Sequence, residues 1–329
     1  MYKAADTLDD LLIEVFTELT NVPFDVSSTR GHFEGNSSET IGAMLLLTNP
    51  RARLSRTETK GTVFSALGEL LWYLSKSNAL DFIKYYIKDY EKESVDGISI
   101  HGGYGPRLFS AQGQYDQVHN VIKLLRERSS SRRAAIQLFD AKDISENFIE
   151  IPCTCTLQFI LRQGKLHMIT FMRSNDAYKG LPHDFFAFTM IQEIIARTLG
   201  VELGFYHHSV GSLHLYESAK DAAFNYIKEG FQPTKKNMPA MPIGDPWPAI
   251  NTLLEVESKF RHEEKVNIAA LNLDPYWLDL VRLLQIHALF KKPDYETIVS
   301  SLKQFYSPIY NTFIEKRMLL SRQRLGYLK

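Results

Sequence analysis

The stretch CTCTLQFILRQGKLHMITF, residues 153 to 171, constrains the fold of this chain more than any other segment. Its two runs of β-branched, aromatic and aliphatic residues are joined by RQGK, which predicts two strands connected by a hairpin turn. The first run begins with both cysteines of the chain, Cys153 and Cys155. We expect their side chains to face opposite sides of the chain, so that the thiols do not pair with each other. Each thiol is then either a small buried hydrophobe or a nucleophile.

The charge and the cysteine content of the chain exclude several classes of protein. Its 38 basic and 38 acidic side chains balance, so no broad attraction to nucleic acid or to a membrane surface is expected. No run approaches the ~18 consecutive apolar residues of a membrane span, and the N-terminal pattern is not that of a secretory leader. Two cysteines cannot build a disulfide scaffold, and a lone C-x-C pair is a poor zinc site. We therefore predict a cytoplasmic protein without a metal.

The first quarter of the chain contains two patterns of helical spacing. Apolar residues recur every three to four positions from 7 to 20 and again from 61 to 78. The second helix has apolar residues around most of its circumference, which predicts burial on most sides. The intervening residues 22 to 61 are rich in Ser, Thr, Arg and Gly, and they read as irregular.

Beyond the hairpin the chain alternates between loop, helix and strand. A loop that contains Arg173 and Pro182 is predicted to lead into a helix at about 185 to 199. A strand is expected near 203 to 216. The overall prediction is an α+β fold.

A proline-rich segment, residues 234 to 248, marks a shift in composition. The sequence after it has helical spacing almost throughout. We therefore divide the chain into a catalytic domain, 1–233, and a helical C-terminal extension, 234–329.

Several short motifs complete a pattern with the cysteine segment. The motifs are ELLWYL (69–74), GGYGPR (102–107), SRR (131–133), RSNDAYKGLPHD (173–184) and HLY (214–216). Their order and spacing resemble those of the thymidylate synthase and deoxycytidylate hydroxymethylase superfamily, over about residues 30 to 217. The resemblance implies a mixed sheet flanked by helices, with the C-terminal helices as an addition.

The resemblance implies which residues perform the chemistry. Cys153 would be the nucleophile that adds to C6 of a pyrimidine 5′-monophosphate and makes C5 a carbon nucleophile. Glu69, the only charged residue between Val63 and Leu74, would be a desolvated acid–base residue. Without the resemblance, Glu69 reads as an ordinary, partly exposed helical glutamate. Tyr104 would lie near the nucleophile.

The resemblance also implies a phosphate site and a homodimer with shared active sites. Arg173 would hold the phosphate and favour the thiolate by its charge, and Ser174 would add a hydroxyl. Arg132 and Arg133 would reach the phosphate in the neighbouring subunit's site, where bidentate guanidinium contacts suit phosphate. Arg30 is a further candidate phosphate ligand, in an N-terminal loop that aligns poorly with the family.

The sugar and the one-carbon donor complete the set of implied contacts. His214 and Tyr216 would meet the sugar hydroxyls, although alone they read as ordinary strand residues. Asp176 would hydrogen-bond the pterin of the implied cofactor, 5,10-methylenetetrahydrofolate.

One departure from the synthases concerns the base. Where they have an asparagine that reads O4 and N3–H of uracil, this chain has Asp184, as the cytidylate hydroxymethylases do. A carboxyl group accepts from the 4-amino group of cytosine and, when protonated, donates to its N3. Because a site that leaves buried polar groups unpaired rejects the wrong base strongly, Asp184 favours cytosine.

A second departure concerns water. The synthases have a tryptophan between the ELLWFL-type helix and the YG turn, but the tryptophans here are at 72, 247 and 277. The terminal residues RLGYLK also differ from the short apolar closing tail of the synthases. A less closed site favours addition of water over hydride transfer from the folate.

Together these features predict a cytidylate 5-hydroxymethyltransferase of nucleotide biosynthesis, with dCMP slightly favoured over CMP. One alternative is a thymidylate synthase that acts on dUMP. Another is a catalytically idle homologue that binds nucleotide or RNA, with the C-terminal third as an interaction module.

Overall fold

The computed structural model describes residues 1–27, 35–55, 57, 62–146, 148–233 and 237–324. In these ranges no helix is both long and apolar enough to cross a lipid bilayer. The strands are β1 (Tyr2–Ala5), β2 (Val26–Ser27), β3 (Asn36–Leu47), β4 (Ala135–Gln137), β5 (Thr154–Arg162), β6 (Lys165–Asp176) and β7 (Glu202–Tyr216). The α-helices are α1 (Leu8–Thr20), α2 (Val63–Leu74), α3 (Leu80–Tyr86), α4 (Tyr104–Phe109), α5 (Gln117–Glu127), α6 (Gly180–Leu199), α7 (Lys220–Glu229), α8 (Trp247–Arg261), α9 (Pro275–Lys291), α10 (Tyr295–Leu302) and α11 (Asn311–Arg324).

A mixed sheet forms the centre of the fold. Its strand order is β1-β3-β7-β6-β5-β4, and β2 pairs with the start of β3. The pairs β1–β3 and β6–β7 are parallel, and the other neighbours are antiparallel. This arrangement, flanked by helices, confirms the predicted α+β fold.

The predicted hairpin is formed by β5 and β6. Arg162 pairs with Lys165, so only Gln163 and Gly164 lie in the turn. Both have positive φ, 51° and 71°, as a two-residue type I′ turn requires. The turn therefore fixes the register of the two strands that carry the cysteines and the RSND motif.

The prediction that residues 22 to 61 are irregular is wrong for the long strand β3. This strand lies between β1 and β7 and pairs with β7 from Ser37 to Leu47. Its first half, SSETIG, lacks the usual strand composition, so the pattern was weak. Pairing with two neighbouring strands supplies the hydrogen bonds that local propensity does not indicate.

The prediction of a loop around Arg173 and Pro182 is also wrong. β6 continues to Asp176, and Pro182 lies in the first turn of α6, where its missing N–H costs no helical hydrogen bond. On β6 the alternation between buried and more exposed side chains shifts by one residue between Met172 and Asn175. The part of β7 that pairs with these residues shows the same shift. A Cβ at Gly211 would lie 2.8 Å from the Arg173 carbonyl oxygen, so the strands approach closely there.

The helix predicted at 61 to 78 is α2, and its burial on most sides is confirmed. Every residue of α2 except Ser65 is buried, and the helix packs against α6 and α9. The core that surrounds it includes side chains from the C-terminal helices as well as from the sheet. Glu69 is therefore held within apolar packing on a rigid element.

Two C-terminal side chains hold Tyr86 at the end of α3. The Tyr86 hydroxyl donates to Glu257 Oε1 at 3.0 Å, and its ring stacks on His287 with centroids 4.8 Å apart. A Cβ at Gly68 would lie 2.1 Å from the ring of Tyr86. Only glycine at this position of α2 leaves room for the ring.

We expect Gly68→Ala to lower the free energy of unfolding by roughly 1 to 3 kcal/mol, since the added methyl group overpacks the Tyr86 ring. Chemical denaturation measures this loss. In a double-mutant cycle with Tyr86→Leu, the smaller side chain should relieve the clash, so the two losses should not add. Additive losses would show that the methyl group disturbs something other than Tyr86.

Candidate active site

A cavity of about 460 Å³ opens between α2, α6 and the ends of β6 and β7. It brings together most of the residues that the sequence singled out, although they come from positions far apart in the chain. The predicted residues on its wall are Glu69, Tyr104, Cys153, Ser174, Asp176, Asp184, His214 and Tyr216.

Cys153 lies on the cavity wall immediately before β5, and Arg173 contacts it. The Arg173 Nη2 atom is 3.7 Å from the Cys153 sulfur, while its Nε and Nη2 donate to the carbonyl oxygens of Pro152 and Ile151. These bonds fix a positive charge beside the thiol, which stabilises a thiolate. Arg173 itself is not among the cavity-lining residues.

Cys155 does not line this cavity. Burial raises the pKa of its thiol. A regular strand directs side chains at i and i+2 to the same face, so alternation alone would not separate the two cysteines. The register between β5 and β6 shifts between Thr154 and Thr156, at Cys155. Our expectation of opposite faces was made without this bulge and is wrong for a regular strand. The bulge changes the phase of the strand at Cys155 and accounts for the different positions of the two thiols.

Tyr104 packs beside the nucleophile. Its hydroxyl oxygen accepts from the backbone N–H of Thr154, the residue after Cys153, at 3.1 Å. Burial, and then the neighbouring charges of Cys153 and Asp184, raise the pKa of Tyr104 well above its usual value. The phenol therefore keeps its proton next to the thiol.

Glu69 accepts hydrogen bonds from two phenols. The hydroxyl of Tyr73 donates to Glu69 Oε1 at 2.9 Å, and that of Tyr90 donates to the same oxygen at 2.7 Å. Burial and the charge of Glu69 raise the pKa of both tyrosines well above the usual value. Both phenols thus remain donors, and one carboxyl oxygen is fixed while the residue lines the cavity.

Asp184 lies one turn into α6 and faces the same cavity. Its Oδ2 accepts from the Asn175 amide nitrogen at 2.8 Å. Burial, and then the charge of Glu69, raise the pKa of Asp184 well above its usual range. This direction favours the protonated carboxyl, which can donate from one oxygen and accept at the other.

Asp176, the predicted pterin ligand, lies on the cavity wall with a fixed carboxylate. Asp176 Oδ1 accepts the backbone N–H groups of Tyr178 and Lys179, at 2.8 and 3.0 Å, at the end of β6. Trp72 and Ile87 line the same cavity. The cavity thus offers a carboxylate together with aromatic and aliphatic surface, a mixture that is typical of small-molecule sites.

Three predicted phosphate ligands are not brought together by this protomer. Arg132 and Arg133 are exposed before β4 and do not line the cavity. Arg30 lies outside the described residues. Their roles therefore stay predictions.

Sequence reasoning missed the residues that hold the carboxyl groups of Glu69 and Asp184. Tyr73 follows Glu69 by four positions on α2, so helical spacing could have paired them. Asn175 stands inside the RSND motif, beside Asp176. Tyr90 lies 21 positions from Glu69 and only the tertiary fold joins them.

The comparison with known proteins identifies the family. A family model described as thymidylate synthase matches residues 47–258, more than half of the chain. The chain belongs to the thymidylate synthase family. The match runs from β3 to α8 and thus includes every residue of the cavity wall.

Individual relatives carry two kinds of activity in their names. The chain is 29% identical to a deoxyuridylate hydroxymethyltransferase of Delftia phage PhiW-14 over 196 residues, 55% of this chain and 54% of the relative. It is 28% identical to a thymidylate synthase of Listeria monocytogenes serotype 4b over 148 residues, 45% of this chain and 46% of the relative. It is 30% identical to a thymidylate synthase of Bacillus phage phi3T over 211 residues, which are 60% of this chain and 74% of the relative. The chain spans about half the length of the first two.

The raised pKa of Asp184 predicts how stability depends on pH. The folded protein keeps this proton to a higher pH than the unfolded chain, so the related stability is lost as pH rises through the folded pKa. The Asp184→Asn variant does not have this loss. The melting temperature of the variant minus that of the wild type should therefore increase as pH rises from about 4 to about 8.

Asp96 provides a control of opposite sign. Its carboxylate accepts the backbone N–H groups of Ser99 and Ile98, which lower its pKa. Asp96→Asn should therefore cost stability by a nearly constant amount from about pH 4 to about pH 8, and this cost should shrink as pH falls below about 4. If Asp184→Asn likewise showed no rise in relative melting temperature above about pH 4, the raised pKa of Asp184 would be wrong.

Proposed function

We propose that this chain is a cytidylate 5-hydroxymethyltransferase, which transfers a one-carbon unit to C5 of a cytidine monophosphate and adds water. The observation that carries the proposal is the Asp184 carboxyl, whose pKa is raised, in the cavity that also holds Cys153. Membership of the thymidylate synthase family supports one-carbon transfer to a pyrimidine.

The base is selected by the protonation state of Asp184. Cytosine presents an acceptor at N3 and a donor at its 4-amino group, and a neutral carboxyl matches both. Uracil instead presents a donor at N3–H and an acceptor at O4. A carboxyl that accepts from N3–H and donates to O4 would have to carry its proton on the other oxygen. The discrimination comes from buried polar groups left unpaired by the wrong base.

The nucleophile is Cys153, with its thiolate stabilised by Arg173. Addition of the thiolate to C6 makes C5 nucleophilic, which a neutral thiol could not do efficiently. Methylenetetrahydrofolate, when bound, would supply the one-carbon unit at the oxidation level of formaldehyde. Asp176 and the apolar wall near Trp72 would hold its pterin.

Glu69 is the residue placed to handle water. Its Oε1 is occupied by the hydroxyls of Tyr73 and Tyr90, so proton acceptance from a water in the cavity falls to the other oxygen. That water would add to the transferred carbon and give the hydroxymethyl group. Tyr90 lies in the interval where the synthases place a tryptophan, and its hydroxyl makes this part of the wall polar.

We also propose a homodimer in which Arg132 and Arg133 reach the phosphate in the partner's site. Exposed apolar side chains on the sheet support it. Met44 on β3 and Phe171 on β6 both pair in register with Ser209 on β7, the strand between them. These two side chains are 43% and 44% exposed. Mixing Cys153→Ser with Arg133→Ala subunits should restore activity, because the mixed dimer contains one intact site. Failure to complement would contradict shared sites.

For the domain organisation we propose that residues 1–233 carry the chemistry and that residues 234–329 are a helical extension that supports the cavity. Glu257 and His287 hold Tyr86, which lines the cavity, and α9 packs on α2. Limited proteolysis tests the boundary, with first cleavage by chymotrypsin expected at Phe231, which is 76% exposed.

A second candidate has a specific observation in its favour. The similarity to a deoxyuridylate hydroxymethyltransferase favours the same water addition on a uracil nucleotide. The test is incubation with methylenetetrahydrofolate and dCMP, CMP or dUMP, with products identified by mass. We expect hydroxymethylated cytidylate and, for Asp184→Asn, a preference moved towards uracil by at least about tenfold.

The outcomes separate the candidates. Conversion of dUMP alone would overturn the cytidylate proposal in favour of the second candidate. Formation of dihydrofolate with any nucleotide would show hydride transfer and a thymidylate synthase. Nucleotide binding without any product would indicate a homologue that only binds.

The two cysteines provide a matched pair of variants. Cys153→Ser should abolish turnover and leave nucleotide binding measurable, because a hydroxyl is far less ionised than a thiol. Cys155→Ser should remain active, since this side chain does not line the cavity. Product assays and nucleotide titrations measure the two effects, and the reverse result would assign the nucleophile to Cys155.

Glu69→Gln should slow product formation far more than it weakens nucleotide binding. The amide keeps the size of the side chain but cannot accept a proton, a loss typically worth about 10² to 10⁴ in rate. Single-turnover kinetics give the rate, and calorimetry gives the affinity. Tyr90→Phe, which keeps the carboxylate, should have a much smaller effect. An unchanged rate in Glu69→Gln would rule out its role with water.

A further inference from the structure

Four polar side chains form a continuous hydrogen-bonded chain that ends at the cavity. The Tyr206 hydroxyl is 2.8 Å from His208 Nδ1, His208 Nε2 is 2.9 Å from Asn175 Oδ1, and Asn175 Nδ2 is 2.8 Å from Asp184 Oδ2. Tyr206 and His208 are fully buried and Asn175 is 4% exposed. The hydrogen-bonded chain therefore runs from the core to the carboxyl that lines the cavity.

The direction of donation along this chain follows from the protonation of its members. Burial lowers the pKa of His208 to about 3, so the imidazole is neutral and has one N–H. Burial also raises the pKa of Tyr206 well above its usual value, so its hydroxyl keeps its proton. With the Asn175 amide nitrogen directed at Asp184, Tyr206 donates to His208, His208 Nε2–H donates to Asn175 Oδ1, and Asn175 donates to Asp184 Oδ2.

This direction determines which oxygen of Asp184 is the donor. Oδ2 accepts from the amide, so the proton of the neutral acid belongs on Oδ1. If the amide were reversed, Oδ2–H would donate to Asn175 and Oδ1 would be only an acceptor. The first arrangement offers N3 of cytosine a donor, whereas the second offers it none.

We propose that Asn175, oriented by His208 and Tyr206, is a specificity-determining positioning residue that makes Oδ1 of Asp184 a hydrogen-bond donor. The inference rests on the proposed function, because it concerns how the same carboxyl reads cytosine. Asn175 also lines the cavity, but its amide nitrogen is used by Asp184 and its amide oxygen by His208, so we assign it a role through Asp184.

Glycine in the backbone leaves room for the contact between Asn175 and Asp184. A Cβ at Gly180 would lie 2.9 Å from Asn175 Nδ2 and 3.4 Å from Asp184 Oδ2. Glycine at the first position of α6 therefore lets the amide and the carboxyl meet. The ring of Phe185 packs against His208 with centroids 4.9 Å apart, which restricts the imidazole from the other side.

The test compares the affinities of the whole protein for dCMP and dUMP by calorimetry. Asn175→Ala should lower the preference for dCMP by about tenfold, the value of one discriminating hydrogen bond. Tyr206→Phe, which removes only the far hydroxyl, should lower it by about threefold. The matched control is Tyr226→Phe, another buried tyrosine whose hydroxyl bonds Asp9 outside this chain of contacts. It should reduce the melting temperature and leave the preference within about twofold.

The pH dependence of dCMP binding separates a positioning role from a packing role. Binding of cytosine should weaken as pH rises through the pKa of Asp184, because the donor proton is lost. The hydrogen bond from Asn175 lowers that pKa, so Asn175→Ala should move the weakening to higher pH even though the preference for dCMP falls.

Two results would overturn the inference. One is an unchanged preference in both Asn175→Ala and Tyr206→Phe, with a loss of stability like that of Tyr226→Phe. The other is an unmoved pH dependence in Asn175→Ala. A preference of the wild-type protein for dUMP would instead count against the proposed function. Should Asn175→Ala fail to fold, Tyr206→Phe decides the matter alone.

Discussion

Burial of the Asp184 carboxyl beside Glu69 is the constraint on which the site depends. Glu69 and Asp184 are among the carboxyl groups that line one cavity, and burial together with the charge of Glu69 raises the pKa of Asp184. Glu69 is instead held by two phenol donors, Tyr73 and Tyr90. Because their surroundings differ in this way, the two carboxyl groups are proposed to have different roles. Asp184 would act as a neutral hydrogen-bonding group and Glu69 as a proton acceptor. The proposed choice of cytosine and the proposed addition of water both follow from that division.

The fold holds this arrangement with features that are themselves irregular. The bulge at Cys155 turns one thiol into the cavity and leaves the other outside it. The change of phase on β6 and β7 allows Asn175 and His208 to meet although they are not paired in register. Gly211 permits the close approach of the two strands at that level. Such departures from regular strand geometry are common next to active sites, because they redirect side chains that alternation would place elsewhere.

Much of the fold could be predicted because local pattern and tertiary structure agree. The hairpin has alternating strands and a two-residue turn, and α2 shows its burial in its own sequence. The long strand β3 was missed because its stability comes from pairing on both sides, which its Ser- and Thr-rich first half does not reveal. The predicted cavity residues were found through the cysteine segment and the motifs of the family, of which RSNDAYKGLPHD contributes three side chains and SRR none. The partners Tyr90, His208 and Tyr206 could not be found this way, since their contacts depend on approach of distant segments, and the bulge that separates the cysteines leaves no clear sign in the sequence.

The account stands on a neutral Asp184 that donates to cytosine, and carbon-13 NMR of this carboxyl measures it directly. Protein labelled at the aspartate carboxyls would be titrated with dCMP across neutral pH, with Asp184→Asn used to assign the signal. The account predicts the chemical shift of a protonated carboxyl near neutral pH, retained in the complex with dCMP. The shift of an ionised carboxylate in that complex would contradict it.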